Sequence, residues 1–132
     1  MRSFDAQRPR SAPDSFRGLT LAGQQVERSF KGLTLVVAIK PLCDGCRAFG
    51  ESSLEEFADL DVLLVATQDQ QDDEWRDIQH EIVLAPELLT QLDVRWPPFY
   101  VLIDANTNMV LAEGVVFGPS QVAEEIRSYL TP

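Results

Sequence analysis

The chain has 132 residues, of which 11 are basic and 21 are acidic, so its formal net charge at pH 7 is −10. A surface of that charge repels nucleic acid phosphates and anionic membranes, and we expect no nucleic acid partner and no membrane insertion. A chain of this length buries a core without cross-links or metal, so its two cysteines are not needed as a structural staple.

The N-terminal stretch is rich in Arg, Ser, Pro and Asp. Residues 1–16 are predicted to form a flexible lead, and residues 17–132 the folded domain. The lead holds no run of seven or more apolar residues, which a signal peptide or anchor would need. We therefore expect a cytoplasmic protein. The alternative is an extracytoplasmic domain whose targeting segment has been trimmed.

The first predicted elements are a β-hairpin and a buried strand. Residues 19–21 and 25–27 flank a turn at Ala22-Gly23, which indicates the hairpin. Residues 33–39 are almost continuously apolar and β-branched, as is typical of a strand covered on both faces of a parallel sheet. This run is predicted to be the central strand.

The middle of the chain alternates helix and strand. Residues 47–60 carry apolar side chains near helical spacing, and residues 62–67 form a second buried strand. The acidic residues 68–81 are predicted to be a loop followed by an amphipathic helix. Pro86 begins a short helix that ends at Leu92.

The last part of the chain predicts a hairpin and a closing helix. Residues 99–103 and 109–113 are strands joined by a turn rich in Asp and Asn. Residues 118–120, Gly-Pro-Ser, open a helix in which apolar residues recur on one face. The predicted order is strand, helix, strand, helix, hairpin, helix.

Both cysteines lie in a Cys-Asp-Gly-Cys motif at residues 43–46, at the junction of the central strand and the following helix. Two thiols at this spacing can close a disulfide ring, and a helix N-terminus stabilises a thiolate. The alternatives are inert buried thiols and zinc. Zinc takes about four ligands, and beyond the cysteines the chain adds one histidine, His80, which we expect at the surface. We expect redox chemistry without metal or organic cofactor.

The order of elements around this motif resembles the thioredoxin fold over roughly residues 18–130. The motif follows the central strand, residues 96–99 read Trp-Pro-Pro-Phe before a strand, and residues 117–119 read Phe-Gly-Pro before the closing helix. Residues 19–26 and 30–32 are similar to the thiol-disulfide interchange and peroxiredoxin-related branch, which includes alkyl hydroperoxide reductase and thiol-specific antioxidant-like proteins. Members are often exported or membrane-tethered, which favours the extracytoplasmic alternative.

The resemblance implies an α/β fold, a thioredoxin-like three-layer α/β/α sandwich with an N-terminal β-hairpin extension and a sheet of four or five strands. It implies a thiol-disulfide oxidoreductase that acts on protein thiols and disulfides; the sequence does not identify the upstream electron donor. A redox-inactive or redox-sensing protein-binding module on the same fold is the alternative. A peroxidase is the weaker enzyme hypothesis, because no Thr stands near Cys43.

Residue roles follow from the same resemblance. Cys43 corresponds to the nucleophile, Cys46 to the resolving cysteine, and Pro98 to a cis-proline. The candidate substrate-binding residues are Trp96, Pro97 and Pro98; core packing is the alternative for Trp96.

The motif also departs from the thioredoxin pattern. An Asp-Gly pair replaces the common Gly-Pro between the cysteines, Leu42 replaces an aromatic residue, and Val37 occupies the position of a buried acid. Pro97 removes a backbone donor that thioredoxins offer to substrates. Asp44 and Lys40 are candidate modulators of the thiol pKa, with Asp44 expected to raise it and Lys40 to lower it.

Overall fold

The computed structural model describes residues 10–40, 43–52, 54–67, 75, 78 and 80–130. Its elements in chain order are β1 (Arg10–Ser11), β2 (Ser15–Thr20), β3 (Gln25–Ser29), β4 (Leu33–Ala38), α1 (Asp44–Glu51), a 3-10 turn (Glu55–Phe57), β5 (Asp61–Ala66), β6 (Ile82–Leu84), α2 (Pro86–Gln91), β7 (Phe99–Asp104), β8 (Met109–Val115) and α3 (Pro119–Leu130).

These strands form one mixed sheet in the order β1-β8-β7-β4-β5-β6-β2-β3. β4 lies in the middle, parallel to β5 and antiparallel to β7. Its alternate side chains enter two separate cores, as the period of two along a strand requires. Leu35 and Val37 pack with residues of α1 and α3, whereas Val36 and Ala38 pack with residues of α2. The predicted three-layer α/β/α sandwich is confirmed.

The predicted N-terminal hairpin is present as β2 and β3, and it extends the sheet through β6. With β1, β6 and the hairpin included, the sheet among the described residues has eight strands, so the expected number of four or five is wrong. The short strands carry weak signals. β6 has three residues directly ahead of the turn into α2, and β1 has two.

The N-terminal boundary also differs from the expectation. Arg10 and Ser11 pair with Val110 and Met109 of β8, and Phe16 is 6% exposed. Residues 10–16 are therefore part of the sheet and its core, because an apolar ring at residue 16 finds a buried place beside Phe30, at 5.4 Å between ring centroids. Residues 1–9 of the expected lead lie outside the described residues.

The helix predicted over residues 47–60 is divided in two. α1 begins at the cysteines, with Asp44 as its first residue, and ends at Glu51. Leu54 follows with a left-handed φ of 60° before the 3-10 turn. Gly50, a weak helix former, lies in the last turn of α1. An added Cβ at Gly50 would stand 2.8 Å from the Ile78 side chain, so the glycine is needed for close packing of that side chain.

Most of residues 68–81 lie outside the described residues, and the loop and helix predicted there remain a prediction. The short helix from Pro86, the hairpin of β7 and β8 and the closing helix are confirmed, each with bounds within a few residues of those expected. Among the described residues, no helix is both long enough and apolar enough to span a bilayer.

Candidate functional site

Cys43 lies at the point where the chain leaves the sheet and begins α1. It is the N-cap residue of that helix, and its Sγ accepts a hydrogen bond from the backbone N–H of Cys46 at 3.2 Å. N–H groups of a helix's first turn have no partner within the helix, and a side-chain acceptor at the N-cap satisfies one of them. The same bond stabilises negative charge on Sγ. Cys43 is half-buried and lines a cavity.

Cys46 occupies a different environment one turn later. It is 4% exposed and belongs to the core shared by α1, α3 and the sheet. Burial, together with the hydrogen bond to Cys43 and the charge of Cys43, raises the pKa of its thiol to about 12. A backbone hydrogen bond from Lys40 and the Lys40 charge act in the opposite direction but are outweighed. Cys46 is therefore protonated at neutral pH.

A cavity of about 300 Å³ opens beside the two sulfurs. Its walls combine apolar groups with charges of both signs. The lining residues are Ile39, Lys40, Cys43, Cys46, Arg47, Glu51, Trp75 and Ile78. Trp75, which sequence analysis did not place in the site, is 5% exposed and forms part of this wall. The signal was weak, since Trp75 and Ile78 are isolated apolar residues in a long acidic stretch.

The two candidate pKa modulators are placed differently. Lys40 directly follows the last residue of the central apolar run, is exposed, and lowers the pKa of the Cys46 thiol as its sign requires. Asp44 is exposed in the first turn of α1 and does not line the cavity. Its expected effect on the thiols remains a prediction.

The Pro97–Pro98 peptide bond is cis. Because β7 runs antiparallel to β4 with Phe99 opposite Ala38, Pro98 lies at the same end of the sheet as the cysteines. The Pro98 carbonyl accepts a hydrogen bond from the Val116 N–H at 3.2 Å. Trp96 is 76% exposed, so the alternative of core packing is wrong for this side chain.

Gly45, between the two cysteines, touches the loop that connects β8 to α3. A Cβ added at Gly45 would stand 3.1 Å from the Phe117 carbonyl carbon and oxygen and 3.2 Å from the Val116 carbonyl oxygen. These are backbone atoms, so a larger residue requires the loop to move. The close approach gives a physical reason for glycine in the Asp-Gly pair. The Phe117 side chain is 77% exposed beside this contact, and sequence reasoning did not single it out as a binding residue.

No buried acid accompanies the cysteines among the residues that the structure describes. Val37 is fully buried within the core, and Thr34 is the one buried polar residue among those described. His80 was expected at the surface but is half-buried. Its Nε2 donates a hydrogen bond to the Ser52 carbonyl at 2.7 Å. Within the described ranges, no three His, Cys, Asp or Glu side chains are grouped as metal ligands would be.

Comparison by sequence gives no match: no protein-family model and no curated protein is significantly similar to this chain. Comparison by structure gives clear matches. The thioredoxin domain of a thiol-disulfide oxidoreductase from Bacteroides vulgatus superposes with a TM-score of 0.67 at 19% identity, over 92% of this chain and 96% of that one.

Two further structures share this fold. A thiol:disulfide interchange protein of the thioredoxin family from Chlorobium tepidum gives a TM-score of 0.64 at 17% identity, over 94% of this chain and 98% of that one. A secreted disulfide oxidoreductase from Mycobacterium tuberculosis gives 0.62 at 13% identity, over 86% and 95%. The chain therefore has the thioredoxin fold, with its two cysteines at the N-terminus of the first helix and a cis-proline at the same end of the sheet.

Proposed function

We propose that this protein is a thiol-disulfide oxidoreductase that exchanges disulfides with partner proteins through Cys43 and Cys46. One observation carries the proposal: the sulfur of a half-buried cysteine at a helix N-cap, hydrogen-bonded to the backbone N–H of a second, buried cysteine. The half-buried thiol suits attack, and the buried thiol suits a later intramolecular step. The names of the structurally similar proteins support the same activity.

In the first step, the Cys43 thiolate attacks one sulfur of a partner disulfide. A bond forms between Cys43 and that sulfur, and the partner's second sulfur leaves as a thiolate that takes up a proton. The Cys46 N–H, 3.2 Å from Cys43 Sγ, stabilises the attacking charge before the bond forms. The product is a mixed disulfide between the two proteins.

In the second step, the Cys46 thiol loses its proton and attacks Cys43 Sγ. The Cys43–Cys46 disulfide forms, and the remaining partner sulfur leaves as a thiolate and is protonated. Two electrons and two protons have then passed from this protein to the partner, and the reverse sequence oxidises a partner dithiol. Because burial raises the pKa of the Cys46 thiol, its deprotonation is the demanding event of the cycle.

Partner proteins would approach at the end of the sheet that carries Trp96, Pro97, Pro98 and Phe117. Trp96 and Phe117 offer large exposed apolar surface, and large aromatic side chains supply much of the contact energy at protein interfaces. We place this activity outside the cytoplasm, the alternative raised by the sequence. The secreted protein from Mycobacterium tuberculosis, with the same fold, supports that choice.

The test is a redox titration of the purified protein. It is equilibrated in glutathione buffers of graded composition, free thiols are alkylated, and the species are counted by mass. We expect one two-electron transition between dithiol and intramolecular disulfide. A midpoint of about −270 mV indicates a reductant. A midpoint between about −180 and −120 mV indicates an oxidant or isomerase. Independent titration of the two thiols would refute the proposal.

A binding module remains the second candidate, because Trp96 and Phe117 are 76% and 77% exposed regardless of the cysteines. The two functions separate in the Cys43→Ser variant. An oxidoreductase loses insulin reduction entirely when its nucleophile is removed. A binding module has no such turnover to lose, and its Cys43→Ser variant binds the partner as the native protein does.

A further inference from the structure

Residues 115–118 comprise the last residue of β8 and the loop that leads to α3. This loop contacts both the cis-proline and the segment between the two cysteines. The Val116 N–H donates to the Pro98 carbonyl at 3.2 Å, which joins the loop to the cis-proline. The carbonyl groups of Val116 and Phe117 stand 3.2 and 3.1 Å from the place a Cβ would take on Gly45, between the cysteines. The position of this loop therefore limits the shape of the Cys43–Cys46 turn.

One side chain holds that loop. The Gln121 Oε1 accepts from the backbone N–H of Phe117 at 2.7 Å and from that of Gly118 at 3.3 Å. Its Nε2 donates to the Val115 carbonyl at 2.9 Å. A single amide thus bonds to residues 115, 117 and 118, and the residue between them, Val116, bonds to Pro98.

The orientation of this amide is set from the core. The Gln121 Nε2 also donates to Glu125 Oε2 at 2.7 Å, and Glu125 Oε1 accepts from the Tyr100 hydroxyl at 2.7 Å. An ionised carboxylate only accepts hydrogen bonds, so the NH₂ end of Gln121 faces Glu125 and the carbonyl end faces the loop N–H groups. Tyr100 is 2% exposed in β7, which anchors the chain of bonds to the sheet.

We propose that Gln121 is a positioning residue of the redox site: by fixing the loop at residues 115–118 against Gly45, it holds the Cys43–Cys46 turn in the shape that closes the disulfide. This inference rests on the proposed thiol-disulfide exchange. A turn held in place brings the Cys46 sulfur to Cys43 at a higher effective concentration than a mobile turn does. Loss of the amide should therefore weaken the intramolecular disulfide.

The first test compares the Gln121→Ala and Gln121→Met variants with the native protein. The measured quantity is the equilibrium constant for the reaction of the protein dithiol with oxidised glutathione, which gives the protein disulfide and two reduced glutathiones. Both variants should lower that equilibrium constant about fivefold, which corresponds to a midpoint about 20 mV less reducing. Gln121→Met keeps the side-chain length, so its shift isolates the hydrogen bonds. Gln91→Ala, an exposed glutamine in α2, should leave the midpoint unchanged. An unchanged midpoint in both Gln121 variants overturns the inference.

The second test asks whether Gln121 acts through Gly45. In the native background, Gly45→Ala forces a Cβ against a loop that is held in place, so the melting temperature of the reduced protein should fall. In the Gln121→Ala background the loop can yield, and the further loss from Gly45→Ala should be about half as large or smaller. Additive losses overturn the inference. This readout needs no disulfide, so it fails or succeeds independently of the proposed redox function.

Discussion

Helices pack on both faces of the sheet, but the packing differs between the two faces. On the face of α1 and α3, glycines at 45 and 50 admit close neighbours, a cavity of about 300 Å³ adjoins the sulfurs, and Phe117 is exposed nearby. On the face of α2, Leu88, Leu89 and Leu92 are 1–2% exposed and belong to one apolar core. The proposed redox chemistry lies on the face that has the cavity beside the cysteines, and the α2 face serves stability.

The Cys46→Ser variant gives the sharpest expected effect on the first face. Cys43 remains as nucleophile, but nothing resolves the mixed disulfide. With an aromatic disulfide such as dithiobis(nitrobenzoate), the reduced native protein should release both aromatic thiols and retain neither. Cys46→Ser should release one and keep the other bound, as read by absorbance and intact mass. Release of both by the variant would show that Cys46 is not the resolving thiol.

The Leu88→Ala variant addresses the other face. Removing a buried leucine side chain that is 1% exposed should cost about 3 kcal/mol of unfolding free energy, measured by urea denaturation. The redox midpoint of the protein that remains folded should be unchanged. A shifted midpoint would mean that the two faces are not separate in function.

The pH dependence of stability tests the buried thiol. The folded pKa of Cys46, about 12, lies above its ordinary value of 9.0, so its contribution is complete below pH 9 and is lost as pH rises toward 12. The reduced protein should lose about 1 kcal/mol of stability by pH 10 from this group. Burial and the Glu125 hydrogen bond also raise the pKa of Tyr100, which adds a loss of the same sign.

Comparison with the Cys46→Ala variant isolates the cysteine. Unfolding free energies of both reduced proteins are measured at pH 8 and pH 10, and the decline should be smaller in Cys46→Ala by about 1 kcal/mol. Equal declines would place the alkaline loss entirely on other groups such as Tyr100.

The smallest expected effect concerns the exposed aromatic residues. Trp96→Ala and Phe117→Ala should each raise the KM for a protein disulfide about fivefold with kcat unchanged, since truncation removes contact area made equally in ground and transition states. The matched control is Leu19→Ala, which removes another exposed apolar side chain, 39% exposed, from the hairpin. If Leu19→Ala raises the KM equally, the aromatic pair does not define the docking surface.

The sequence predicted the fold where local patterns are long. The apolar run at residues 33–39 and the closing helix have strong periodicity, and both are present. The three-residue β6 is too short to show a period, and it becomes a strand only because β5 and the hairpin lie on either side of it. The break in the helix at residues 47–60 lies close to Gly50, where Ile78 makes a contact between distant parts of the chain that the sequence does not show.

The site was predicted in the same uneven way. The spacing of Cys43 and Cys46 and the proline pair at 97 and 98 are local patterns, and the structure brings them to one end of the sheet. Gln121 gave no signal, and Phe117 was noted only as part of the motif before the closing helix, because their placement at the site depends on how residues 115–118 meet Gly45. Sequence spacing identifies reactive groups more readily than the residues that position them.

The short length of α1 has a consequence for how firmly Cys43 is held in place. A helix of eight residues is marginal in water by itself, so the N-cap position of Cys43 depends on contacts elsewhere. Two of them lie at the opposite end, where Ile78 packs on Gly50 and His80 bonds to the Ser52 carbonyl. Detachment of these two residues would open the helix as a local unfolding event. The N-cap position of Cys43 is thereby linked to Ile78 and His80, 35 and 37 residues further along the chain.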